Sequence, residues 1–184
     1  MARVLVPLAQ GCEELEAITI TDLLVRAGIH VTTAGLDEQP VRASRGMTMI
    51  PDTSLDMALQ QDYDMVVLPG GLPGADHLDN DSRIHQLVST MAENGRYVAA
   101  ICAAPKVLAR AGLLDGKRAT AYPGTLEKLS LPTTQIVGDA VVYDAPVITS
   151  RGPGTAMDFA LLLIEILVGR EMRDKVEAGL VRTA

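Results

Sequence analysis

Apolar residues along the chain fall into short, nearly unbroken runs separated by amphipathic stretches. Arg3–Ala9, Ile29–Ala34, Asp64–Leu68 and Tyr97–Ile101 are such runs, the pattern of strands covered on both faces in a parallel sheet. Helical spacing appears between them. In Ser82–Glu93, Ile84, Leu87, Val88 and Met91 share one face. Glu13–Ala27 is apolar on two sides, with Leu15, Ile18 and Val25 on one and Ile20, Leu23, Leu24 and Ala27 on the other. Such a helix is covered more fully than one resting on a single sheet, and Gly28 closes it as a C′ residue. Val41–Ile50 reads as two short extended pieces around Gly46, and Asp52-Thr53-Ser54 opens a short helix through Leu59. Arg118–Tyr122 is a further strand, and Ile136–Tyr143 with Pro146–Ser150 forms a hairpin around Asp144-Ala145. A long apolar helix, Thr155–Val168, follows, with Thr155 and Asp158 as its capping box and Gly169 as its stop. Glu171–Ala178 adds a short last helix.

Strands alternating with helices give an α/β sandwich of three layers around a mostly parallel sheet. Residues 1–184 are expected to form one domain. In such sheets ligands bind beyond the carboxyl ends of the strands. The loops there hold Gly11–Glu16, Pro69–Gly74, Cys102–Pro105, Tyr122–Gly124 and Arg151–Gly154, and the unusual residues of the chain collect on that edge.

Composition narrows the function classes. Hydrophobic residues make up 48%, with one Phe, four Tyr and no Trp, so the core is built from Val, Ile, Leu, Ala and Met. A formal charge of −7 disfavours general binding to nucleic-acid phosphates or anionic membranes. Neither the N-terminal run nor Phe159–Val168 is long enough for a signal core or a membrane span, and a cytoplasmic protein is expected. Two cysteines without a CxxC pair indicate neither a disulfide framework nor a zinc cage.

The candidate chemistry centres on Tyr97–Pro105, YVAAICAAP. Cys102 stands where a buried strand turns into a helix, with Pro105 in that helix's first turn. Free backbone N–H groups and the helix dipole there favour a thiolate, as in a nucleophile elbow carrying sulfur. The alternative is an inert, buried cysteine. Gly70 and Gly71 either approach a ligand with bare backbone as an oxyanion site or form an ordinary turn. Glu16 either complements the first helix's dipole or, beside a thiolate, stays protonated and donates to sulfur. Arg151-Gly152-Pro153-Gly154 either walls the site or starts the following helix. Cys12 is a resolving thiol or an inert small residue. His30, His77 and His85 all precede Cys102, which disfavours a Cys-His-Asp hydrolase; only His77 lies near the glycine loop.

GCEELEA, VVLPGG, AAICAAP and TSRGPGT, in this order over nearly the full length, resemble the ThiJ/PfpI superfamily, in the branch of bacterial YajL and the human parkinsonism-associated deglycase. The resemblance implies a flavodoxin-like sandwich and a homodimer with the first helix at its interface. It implies that Cys102 is the oxidisable nucleophile and Glu16 its protonated partner, with Gly70, Gly71 and the Ala103 backbone lining the site. Gly152 and Pro153 would stand behind them, and Arg45 would reach the site of the partner subunit. The human branch has a histidine at Tyr122, so proton handling here would fall to Glu16 or water. Implied activities are cofactor-free and metal-free detoxification of glyoxal, methylglyoxal or their early adducts on protein and nucleic acid. The alternative is a redox-sensing chaperone for unfolded proteins, with its cysteine oxidised to sulfinate. No membrane and no sequence-specific nucleic-acid partner are expected.

Overall fold

The computed structural model describes residues 1–182. Its centre is a seven-stranded sheet. In chain order the strands are β1 (Arg3–Leu8), β2 (His30–Gly35), β5 (Thr53–Ser54), β6 (Met65–Leu68), β7 (Tyr97–Ile101), β10 (Val141–Asp144) and β11 (Val147–Ser150). Across the sheet they lie as β10-β11-β7-β6-β1-β2-β5, all parallel except the β10–β11 hairpin. The chain runs outward from β1 to β2, then returns to β6 on the other side. β1 and β6 therefore flank the switch point, where flavodoxin-like sheets open a crevice at their carboxyl ends. Two two-stranded ribbons lie outside the sheet: β3 (Val41–Arg42) with β4 (Thr48–Met49), and β8 (Arg118–Ala119) with β9 (Gln135–Ile136).

Helices flank the sheet in two groups. α1 (Glu14–Arg26) packs on α6 (Ala156–Val168), which packs on α7 (Arg170–Gly179). α4 (Ser82–Glu93) lies over β6 and β7 and meets α3 (Gly74–Asn80) and α5 (Pro105–Arg110). The interior is aliphatic: Leu5, Ile20, Leu24, Met65, Leu68, Ile84, Ile101 and Leu108 are fully buried, with Phe159 the sole phenylalanine among them. Each such side chain contributes about 1.5–3 kcal/mol through burial. Gly28, with φ +73°, ends α1 as the sequence predicts. The two faces of α1 separate. Ile20, Leu23 and Leu24 are buried, whereas Leu15, Ile18 and Val25 are exposed by 49%, 42% and 59%.

Several elements differ from the sequence reading. Thr53–Ser54 pairs with β2 as an edge strand, and α2 begins only at Leu55 and ends at Ala58. α3 has no counterpart among the expected elements, since GADHLDN carries little apolar periodicity after a Pro-Gly run. The strand expected over Arg118–Tyr122 shrinks to β8. Thr155 does not cap α6; its Oγ1 instead accepts the Gly152 N–H at 3.1 Å and bonds Ser150 Oγ at 2.7 Å, closing a short 3₁₀ turn over Pro153–Thr155. No helix among the described residues is long and apolar enough to cross a membrane.

Candidate functional site

Three loops meet at the switch point, and glycine lets them touch. The Glu13 N–H donates to the Gly70 carbonyl at 2.9 Å, binding the β1–α1 loop to the β6–α3 loop. Gly71 has φ +85°, and a Cβ there would lie 2.4 Å from the Glu13 nitrogen. A Cβ on Gly70 would fall 2.6 Å from Cys102 Cβ, 2.8 Å from Glu16 Oε2 and 2.8 Å from the Ile101 carbonyl. Any side chain at either glycine would drive the loops apart.

Cys102 follows β7 directly and has φ +63°, a left-handed backbone that costs a non-glycine residue about 1–2 kcal/mol. Its own bonds hold it there: Cys102 N–H donates to the Ser150 carbonyl at 2.9 Å, and its carbonyl accepts the Tyr122 N–H at 2.8 Å. The residue is 8% exposed. The N–H groups of Gly71 and Ala103 face the sulfur and favour its anion. Burial and the Glu16 charge outweigh them, pushing the thiol up to about 12. The backbone N–H groups thus act in the expected direction, and burial and an ionised Glu16 oppose them. α5 is only six residues long, so its dipole is weak.

Glu16 is fully buried. Its Oε2 accepts the Gly70 N–H at 2.8 Å, while Oε1 has no hydrogen-bond partner among the described residues and the carboxyl interacts with the Cys102 thiol. Burial raises it to about 7 against the pull of the Gly70 N–H and the thiol, and the Glu13 charge adds to the rise. Two anions at this spacing repel strongly, so near neutrality the pair holds one proton between them. When Glu16 carries it, the repulsion on sulfur vanishes and the carboxyl turns from acceptor to donor.

The remaining candidates lie around this pair. Arg45 sits on the β3–β4 turn with its side chain 79% exposed, 3.8 Å from Glu13 Oε2 of its own chain. That turn is clamped by Glu14, whose carboxylate accepts the Arg45 N–H at 3.0 Å, the Met47 N–H at 3.3 Å and the Ser44 hydroxyl at 3.2 Å. Desolvation opposes its charge, but the backbone N–H groups of Glu14, Arg45 and Met47 and the Ser44 hydroxyl hold it below the ordinary value. The sequence reading missed this clamp; three glutamates in four residues were its only trace. Tyr122, Gly152 and Pro153 line an open cleft of about 260 Å³ together with Pro123 and Arg151, and the Gly152 position packs against the Tyr122 ring. Gly70 spends its N–H on Glu16 and so offers no free donor to a substrate oxygen.

Cys12 is fully buried, and burial with the Glu14 charge pushes it up to about 12; its lack of any exposure favours the inert alternative. His77 lines a different cleft with Gln10 and Asp37. His85 pairs with Asp79, and His30 is exposed at the start of β2. Among the described residues no group of three or more His, Cys, Asp or Glu side chains is placed to hold a metal ion.

Comparison with known proteins places this geometry. Residues 2–166 match the DJ-1/PfpI family. The chain belongs to that family. Protein dj-1beta of Drosophila melanogaster is 44% identical over 178 residues, 96% of this chain and 95% of that protein. Its crystal structure superposes with a TM-score of 0.93, covering 100% of this chain and 99% of that one. Toxoplasma gondii DJ-1, solved in an oxidised form, is 35% identical with a TM-score of 0.94 over the full length of both. The glutathione-independent glyoxalase DJR-1.2 of Caenorhabditis elegans is 36% identical over 170 residues, 92% of this chain and 90% of that protein. The flavodoxin-like, mostly parallel sheet expected from the sequence is thus the fold of this DJ-1/PfpI chain.

Proposed function

We propose that this DJ-1/PfpI protein is a glyoxalase or deglycase acting on glyoxal, methylglyoxal or their early adducts, through Cys102 and without glutathione. The observation that carries the reading is the buried Glu16 carboxyl, held by the Gly70 N–H and facing the Cys102 thiol. The C. elegans relative, named as a glutathione-independent glyoxalase, supports it. Sγ adds to the aldehyde carbon, and the aldehyde oxygen takes the proton held by Glu16, giving a hemithioacetal. The Glu16 carboxylate then removes the hydrogen from that carbon and returns it to the neighbouring carbonyl carbon, while the proton of the hemithioacetal hydroxyl passes to the neighbouring carbonyl oxygen. The first carbon is thereby oxidised to a thioester and the second reduced to an alcohol. Water cleaves the C–S bond, releasing a 2-hydroxy acid and restoring the thiol. An adduct would enter the same path with its amine as an additional leaving group. The exposed Leu15, Ile18 and Val25 face of α1 suits the homodimer that the family resemblance implies. Purified protein is expected to convert methylglyoxal to lactate, with Cys102→Ala abolishing the conversion; equal rates for the two proteins would refute the reading.

A second reading, a redox-sensing chaperone, is favoured by the relative solved in an oxidised form. Cys102 keeps slight exposure whereas Cys12 has none. Mild peroxide is therefore expected to add two oxygens to Cys102 before Cys12 changes mass. Simultaneous oxidation of both would count against it.

A further inference from the structure

We infer that the preferred substrates are ketoaldehydes carrying a carboxylate on the side remote from the aldehyde, and that Arg151 selects them. The inference rests on the proposed chemistry at Cys102 and names the substrate class for it. β11 and β7 run in parallel register, with Ser150 beside Ile101. Arg151 and Cys102 are the first residues beyond these neighbouring strand ends, and the Cys102 N–H is bonded to the Ser150 carbonyl. Arg151 lines the cleft of about 260 Å³ with Tyr122, Pro123, Pro153 and Thr155. Tyr122 in turn is bonded through its N–H to the Cys102 carbonyl. The cleft wall is therefore formed by the two segments that clasp the cysteine.

Arg151 is also electrostatically unspent. In a chain of net charge −7, it joins no ion pair among the described residues. Its Nη1 donates to the Gly138 carbonyl at 2.7 Å, which anchors the guanidinium, and its other N–H groups have no partner there. An anchored guanidinium with free donors matches the planar, two-oxygen shape of a carboxylate. Tyr122, 53% exposed, and the two prolines supply an apolar wall for the methylenes between the carboxylate and the reacting dicarbonyl. A three-carbon dicarbonyl leaves this cleft and its cation unused.

The test compares 4,5-dioxopentanoate with uncharged 2-oxopentanal, a ketoaldehyde of the same length. Addition of water converts the first to 2-hydroxypentanedioate by the same internal oxidation and reduction. Wild-type protein is expected to favour the anion by about tenfold in kcat/KM, the scale of one charge-assisted hydrogen bond, and the preference is expected to shrink as salt rises. Arg151→Gln should remove the preference chiefly through KM, and Arg151→Lys should retain part of it. Calorimetry supplies a readout independent of turnover: 4-oxopentanoate, which lacks the aldehyde, should bind Cys102→Ala protein and lose that binding when Arg151→Gln is added. Equal kcat/KM for both substrates, a preference that survives Arg151→Gln, or no binding of 4-oxopentanoate would each overturn the inference. Failure to turn over either aldehyde would instead refute the proposed function, with the calorimetry still deciding on Arg151.

Discussion

The Gly70 amide donates to Glu16 Oε2 across 2.8 Å, so the loop after β6 fixes the carboxyl that interacts with Cys102. The same glycine lies against the cysteine itself, where a Cβ would be 2.6 Å from Cys102 Cβ. One small residue therefore sets the spacing of the acid and the thiol. Gly70→Ala is expected to destabilise the fold by about 1–3 kcal/mol, the usual cost of overpacking, and to lower dicarbonyl turnover more than Gly179→Ala does, since nothing lies within 4 Å of a Cβ at Gly179. Denaturant melts and methylglyoxal assays on the two variants check this.

Burial of Glu16 also makes stability depend on pH. Its folded value of about 7 lies above the ordinary 4.5, so the folded chain binds this proton more tightly than the unfolded one. The resulting stabilisation is complete below about 4.5 and is lost as pH rises through about 7, amounting to about 3 kcal/mol. Glu16→Gln should flatten that part of the profile, making the variant relatively more stable at pH 8 than at pH 5. Urea unfolding across this range measures it; parallel profiles for the two proteins would contradict the assignment.

Cys102 is held at φ +63°, a conformation that glycine adopts freely and alanine does not. Cys102→Gly and Cys102→Ala both remove the sulfur, so their difference isolates the backbone. The glycine variant is expected to be the more stable by about 1 kcal/mol, with neither variant active. An alanine variant as stable as the glycine one would show that the turn relaxes.

Glu14 behaves oppositely to Glu16 with pH. Its carboxylate is held below the ordinary range, with backbone N–H groups outweighing its desolvation. Its contribution is present above the ordinary carboxylate range and fades as pH falls through the depressed value. Glu14→Ala should cost about 1–3 kcal/mol at pH 7 by leaving the Arg45 and Met47 amides unpaired, and hydrogen exchange should speed up at those two amides first.

Much of this was legible in the chain. Ser82–Glu93 is a helix with the predicted limits because its apolar spacing and its Asp81 cap agree. Pro105 sits at the start of α5, where a missing N–H does no harm. That the loops bearing Glu16, Gly70, Gly71 and Cys102 share one edge follows from the alternation of strands and helices, whereas the pairing of Glu16 with Cys102 comes from the family resemblance. What the sequence could not carry were relationships set by tertiary contact. Thr53 and Ser54 look like a helix start and become an edge strand because β2 leaves open bonding groups beside them. The left-handed turn at Cys102 carries no glycine to announce it. Whether a glutamate clamps a surface turn or lies buried against the cysteine depends on depth, and Glu14 and Glu16 are only two positions apart.

The measurement that bears most directly on the shared proton is the rate of Cys102 alkylation against pH, in wild type and in Glu16→Gln. The pair should release its first proton near pH 7 and keep the second to about 12, so wild-type alkylation should begin to rise near neutrality. In Glu16→Gln that neutral inflection should vanish, leaving one thiol step below about 12 because the Glu16 charge no longer opposes ionisation. A single inflection at the ordinary cysteine value, unmoved by the substitution, would mean that Cys102 and Glu16 titrate independently.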